Sequence, residues 1–242
     1  MPNSRTPRLI WRTVKISFLI LILVVNGVLI FRLCSSGDPD TMKNLIVNEP
    51  LVRAYAEHGE SLTLQYQNQS SITQGEKNLG YFSVTQYVFI PEAQQVQLVF
   101  RYNNSTIKNL AKDYKLESVP DKSEELFEVT LVRTTDLTPD NSEDNFDPST
   151  LKVDRYMPSA ATRDDDSNAL YTYYRYVFDG VTIEEYTDGV FADVYYCKDV
   201  NYDKGAYGTL CLYDSESKWI QASLTDEDVR ALEEKKKEYQ PK

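Results

Sequence analysis

Val190-Phe-Ala-Asp-Val-Tyr-Tyr-Cys-Lys-Asp-Val-Asn-Tyr-Asp-Lys-Gly-Ala-Tyr-Gly-Thr-Leu-Cys-Leu-Tyr213 is the stretch on which the fold turns. Apolar and polar residues alternate through both halves, the period-two mark of a strand with one buried face. Asp203-Lys204-Gly205 between them suits a three-residue hairpin loop, in which Gly205 supplies the positive φ of a glycine bulge. Closing Tyr202 on Ala206 sets a register that places Tyr196 opposite Leu212 and Lys198 opposite Leu210. Val190, Ala192, Val194, Tyr196, Leu210 and Leu212 then share the face expected to build the core. On the other face Cys197 meets Cys211 and Tyr195 meets Tyr213. This geometry predicts a cross-strand Cys197–Cys211 disulfide, worth about 3 kcal/mol at most for so short a loop. The alternative is a pair of small apolar side chains kept reduced. A metal site is a poor reading, because no His lies near the two thiols.

The alternation continues upstream. Leu62, Leu64 and Tyr66 share one parity, and so do Phe82, Val84, Val88 and Ile90. Beyond the turn Pro91-Glu-Ala-Gln-Gln95, Val96, Leu98, Phe100 and Tyr102 do the same. The last two runs are expected to pair, with Ile90 opposite Val96 and Val88 opposite Leu98. Further strands are expected over 126–133, 151–157, 169–179, 190–198, 207–213 and 218–222. Strands at this density predict an antiparallel β-sandwich of immunoglobulin-like or jelly-roll character, with a closed barrel as the second choice. Two short helices interrupt it. Ile107, Leu110, Ala111 and Tyr114 fall at helical spacing after Ser105, a candidate cap. Near the C-terminus Thr225 precedes Asp226, Glu227 and Asp228, acids that suit a helix start, with Leu224 and Val229 placed for a hydrophobic staple. That helix carries little apolar surface and is expected to lie on the outside.

Charge divides the chain. Residues 1–34 hold Arg5, Arg8, Arg12, Lys15, Arg32 and no acid, so against a net −11 for all 242 residues the remainder carries −16. Between Lys15 and Arg32 run 16 uncharged, mostly apolar residues, Ile16 to Phe31. As a helix they cover roughly 24 Å, slightly less than a bilayer core, a gap that snorkelling Lys15 and Arg32 and an interfacial Trp11 would close. The basic side stays in the cytoplasm by the positive-inside rule. The competing reading is a cleaved signal peptide cut near Cys34-Ser35-Ser36. The expected organisation is a basic cytoplasmic tail over 1–15, a transmembrane signal-anchor helix over 16–33, a linker over 34–58, a β domain over 59–223 and a charged helix over 224–242. Leu45, Ile46, Val47, Leu51 and Val52 make at most a weak edge strand, because Pro50 interrupts them.

Composition narrows the function. An acidic exported domain disfavours nucleic acid as a partner. A single His disfavours His-rich metal sites and His-dependent triads. Asp164-Asp165-Asp166 and the acids between Asp136 and Asp147 lack the central Gly and terminal Glu of a calcium loop. No phosphate-binding Gly loop occurs, and no cofactor is expected. The 18 tyrosines are the compositional signal. Tyr171, Tyr173 and Arg175 share one parity of a strand, and with Tyr195 and Tyr213 they make a candidate binding patch; the plain alternative is strand propensity. The expected function is non-catalytic: a single-pass envelope protein presenting a binding or scaffolding domain to another protein. The alternatives are a carbohydrate-binding module using that tyrosine patch, and an extracytoplasmic hydrolase using carboxylates of the acidic loops. The expected partners are the membrane, through one helix, and another envelope protein or a glycan.

Overall fold

The structure, a computed structural model, describes residues 6–34, 37–67, 73–74, 80–136, 151–164, 170–183, 187–214 and 218–239. The chain forms two compact units, one ending at Asp38 and one beginning at Pro39. The first is a single continuous helix, α1 (Thr6–Cys34). Its side chains from 14 to 30 are all exposed, and Lys15 sits over the Trp11 ring at 5.3 Å. Among the described residues no helix is long and apolar enough to cross a membrane.

The second unit is mainly β. After a 3₁₀ turn at Asp40–Met42 come α2 (Glu49–His58), β1 (Leu64–Gln67), β2 (Thr73–Gln74), β3 (Phe82–Ile90), β4 (Gln95–Asn103) and α3 (Thr106–Asp113). Then follow β5 (Phe127–Asp136), β6 (Leu151–Tyr156), β7 (Ala160–Arg163), β8 (Tyr171–Asp179), β9 (Thr187–Tyr196), β10 (Gly208–Asp214), β11 (Trp219–Ala222) and α4 (Asp226–Tyr239). Two antiparallel sheets result. One has six strands in the order β11-β1-β3-β4-β8-β7, the other five in the order β2-β10-β9-β5-β6. Successive hairpins alternate between the sheets, so the chain crosses the core repeatedly.

That core is the set of inward side chains of both sheets. Val96, Leu98, Phe100 and Tyr102 of β4 and Tyr174, Tyr176 and Phe178 of β8 face Phe127, Val129 and Leu131 of β5 and Val190, Ala192, Val194 and Tyr196 of β9. Phe127 joins the two layers edge-on, 4.9 Å from Tyr102 and 5.0 Å from Phe82, the geometry that ring quadrupoles favour. Gly208 is needed here, since a Cβ at that position would lie 2.8 Å from the Phe82 ring.

Three expectations are corrected by the strand pairing. In β3–β4, Phe89 faces Val96 and Val88 faces Gln97, one residue off the expected register, because a bulge between Val84 and Gln86 adds Thr85. The bulge leaves Phe82 and Val84 in the intersheet core and sends Val88 and Ile90 to the opposite face. In β9–β10, Val194 pairs with Gly208 and Phe191 with Cys211, a slip of six residues. The Asn201 side chain accepts from the N–H groups of Asp203 and Lys204 and turns 202–204 into 3₁₀ structure inside a longer loop. Gly205 does have φ 83°. Thirdly, the Cys197–Cys211 bridge is absent and both residues are thiols. Cys197 lies past the end of β9, with its N–H donating to the Leu126 carbonyl, while the Cys211 thiol donates to the Tyr213 carbonyl at 3.5 Å.

The expected linker also gives way to structure. Asn48 caps α2 by accepting from the Leu51 N–H, and Pro50 sits in the first turn, where a missing N–H costs nothing. Leu51, Val52, Ala54 and Tyr55 of α2 bury against Leu64, Val88 and Ile90 of the six-stranded sheet, together with Leu232 of α4. The C-terminal helix is therefore docked. Its start is a capping box: the Asp228 N–H donates to Thr225 Oγ1 at 3.1 Å, and the Asp228 carboxylate accepts from the Thr225 N–H at 3.2 Å and from its hydroxyl at 2.6 Å. Leu224 and Val229 pack on the same cluster as Leu232. Ser105, by contrast, makes no side-chain cap to α3.

Candidate functional site

The five residues expected to form one patch lie in separate places. Tyr171, Tyr173 and Arg175 do share the outer face of the six-stranded sheet, but the chain itself covers that face. Residues 39–48 run across it as a strap. Met42 buries with Val99 and Tyr173, and Tyr171 packs beside them. Arg175, 1% exposed, donates to the Met42 carbonyl and to Gln86 Oε1 at 2.7 Å. Arg101 stacks on Tyr171 at 4.5 Å and donates to the Tyr173 hydroxyl at 3.2 Å. Tyr213 belongs to the other sheet and stacks on Trp219 at 5.3 Å. A coplanar, solvent-facing tyrosine platform is thus not formed by these residues.

The strap is held by side-chain amides acting as strand substitutes. Gln97 donates to the Ile46 carbonyl and accepts from the Ile46 N–H, both at 2.9 Å. Gln95 donates to Asn48 Oδ1 at 2.8 Å and to Asp179 Oδ1 at 2.7 Å. Asp228 of α4 accepts from the Leu45 N–H at 3.0 Å, and Thr41 donates to Asp164 at 3.0 Å. Asp164 is thereby spent on structure; Asp165, Asp166 and the acids 137–147 lie outside the described residues.

The outer face of the five-stranded sheet is different. Within the second unit, α2, α4 and the 3₁₀ turn at 40–42 pack on the other sheet, and α3 sends Ile107 and Leu110 into the intersheet core. What the five-stranded face presents is a cluster around Arg155. Its guanidinium lies 4.8 Å from the Tyr202 ring and 5.5 Å from the Tyr195 ring. It donates to Thr130 Oγ1 at 2.8 Å, to the Tyr195 hydroxyl at 2.9 Å and to Asp193 at 3.4 Å. Tyr195 donates in turn to Asp193 at 3.2 Å, and Thr209 donates to the same carboxylate at 2.8 Å. Tyr202 meets Tyr195 edge-on at 5.0 Å and donates to Glu128 at 2.5 Å. Around this ordered centre stand exposed apolar groups: Val153 at 58%, Met157 at 50% and Tyr202 at 40%.

Electrostatics holds the two phenols of the cluster in one state near neutral pH. The hydrogen bond to Glu128 and burial push the Tyr202 hydroxyl up to about 12. Burial and Asp193 raise Tyr195. Both phenols stay protonated donors. Among the described residues, where carboxyl values move, they move down: Asp154 through Arg133 and Lys152, Glu124 through Lys198, Asp40 through Lys43, Asp121 through Ser123. A general acid needs the opposite shift. Among the described residues no group of His, Cys, Asp and Glu could hold a metal.

Tyr195 is the member of this cluster that the expected patch had included. Arg155, Tyr202 and Met157 were missed. The alternation of strand 151–157 held the signal, since Val153, Arg155 and Met157 share a parity opposite to Tyr156, which packs on the core. No protein-family model, curated protein or solved structure matches the chain.

Proposed function

We propose that the chain is a single-pass membrane protein that holds a non-catalytic β-domain outside the membrane and offers the Arg155 face of its five-stranded sheet to a partner protein. The observation that carries the docking face is its asymmetry with the six-stranded sheet. One outer face is sealed by the strap, α2 and α4; the other sets Val153, Met157 and Tyr202 in solvent around a hydrogen-bonded Arg. Tyr, Met and Arg are the residues that protein interfaces enrich, and an ordered centre lowers the entropy lost on docking. The anchor rests on the uncharged run inside α1, its exposed apolar side chains and its basic flank. The finer architecture, of immunoglobulin-like or jelly-roll character, is supported by two packed antiparallel sheets and the repeated crossing of the chain between them.

A photo-crosslinking residue placed at Val153 or Met157 in native membranes tests the docking face. The expected result is a discrete protein adduct at both positions and none at Lys43 on the strap. Adducts absent at both positions, or equal at all three, would refute it. The carbohydrate reading loses its platform with the burial of Tyr173 and Arg175. Among the described residues no carboxyl is shifted upward to support the hydrolase reading, and its loop acids at 137–147 and 165–166 lie outside them.

A further inference from the structure

A pocket of about 250 Å³ opens where the chain leaves β9 and returns as β10. Tyr114, at the end of α3, and Tyr207, just before β10, form its aromatic wall; Asp199 and Lys204 stand on the loop side. The two rings are 5.6 Å apart and tilted by 54°, so they wrap a rounded group rather than present a flat platform. Tyr196 backs Tyr114 at 4.7 Å. The Tyr207 hydroxyl donates to Asp113 at 2.7 Å, which fixes the ring and sets a second carboxylate behind the wall. Burial, then Asp199 and Asp113, raise the Tyr114 hydroxyl, so both carboxylates act on that ring.

The chemistry selects the ligand's charge. Two ring faces carry negative potential, and Asp113 and Asp199 outnumber Lys204. An anion is repelled; a flat sugar ring finds no parallel surface. The volume falls below the roughly 300 Å³ at which drug-sized pockets begin, so a headgroup fits and a larger molecule does not. We infer that this pocket binds a small organic cation of the alkylammonium class, with its charge between Tyr114, Tyr207 and Asp199. The site shares the 201–207 loop with Tyr202 of the Arg155 face, but no residue of that cluster lines it.

Choline and its uncharged isostere dimethylbutanol are the probes, titrated into the purified full chain while the Tyr114 and Tyr207 ring resonances are followed by NMR. Saturable shifts with choline, and weaker ones with dimethylbutanol, are expected. Asp199 and Lys204 are exposed, so their variants keep the fold. Asp199→Asn should weaken choline by about two- to fivefold, and Lys204→Ala should tighten it by a similar factor, as suits a cation–π site near the surface. Absent saturation, equal affinity for the two probes, an indifferent Asp199→Asn, or a Lys204→Ala that fails to tighten would each overturn the assignment.

Discussion

Arg175 is a cation that folding has taken out of water and given to a backbone carbonyl and a glutamine amide. Truncation removes those bonds and opens a cavity beneath the strap. Arg175→Ala is therefore expected to lower stability by about 3 kcal/mol in urea titration, and an unchanged midpoint would place this side chain in solvent. Cys197 tests a different force. Burial first, then Glu125 and Glu128, push its thiol up to about 11. A raised acid keeps its proton longer in the folded state than in the unfolded one. Its contribution is thus complete below the unfolded value of 9.0 and is lost as pH rises to about 11. Unfolding measured across that window should show the loss, and Cys197→Ala should show less of it. The parity of Tyr171, Tyr173 and Arg175 was legible in the sequence. What covered them was not, because alternation names a face and not its neighbour.

Elements carry the same lesson in their registers. From Gly208 to Cys211 the β9–β10 pairing slipped by six, an even number, and a bulge before Tyr213 makes it five beyond, so the inward residues were read correctly while every cross-strand partner was wrong. Local turn chemistry decided the slip, since Asn201 captures two backbone N–H groups. The β3 bulge was invisible because Thr85 looks like any other strand residue. α2 was hidden by Pro50, which breaks a strand but starts a helix. Two substitutions probe this level. Gly208→Ala forces the Phe82 ring aside and should cost about 1–3 kcal/mol in the same urea assay; no effect would mean that the sheets are looser at this point. Asp228→Ala removes the carboxylate half of the α4 capping box and the acceptor for Leu45, while the N–H at 228 can still donate to Thr225 Oγ1. Hydrogen exchange should then speed up at Leu45 and through the first turn of α4 together, by about one to two orders of magnitude. Faster exchange in the helix alone would show that the strap does not depend on α4.

At the scale of the molecule, charge and exposed apolar surface are distributed by place. A basic, apolar helix stands at one end of the sequence, and the rest is an acidic unit with one sheet face covered by the strap, α2 and α4 and with Val153, Met157 and Tyr202 exposed at the other. Labelling intact cells with a membrane-impermeant amine reagent, followed by peptide mapping, tests this arrangement most directly. Lys152, Lys198 and Lys235 have side chains exposed in the β unit and at α4. Peptides carrying these three should be labelled before lysis, and Lys15 only after it. Label at Lys15 on intact cells, or none on the other three until lysis, would contradict it.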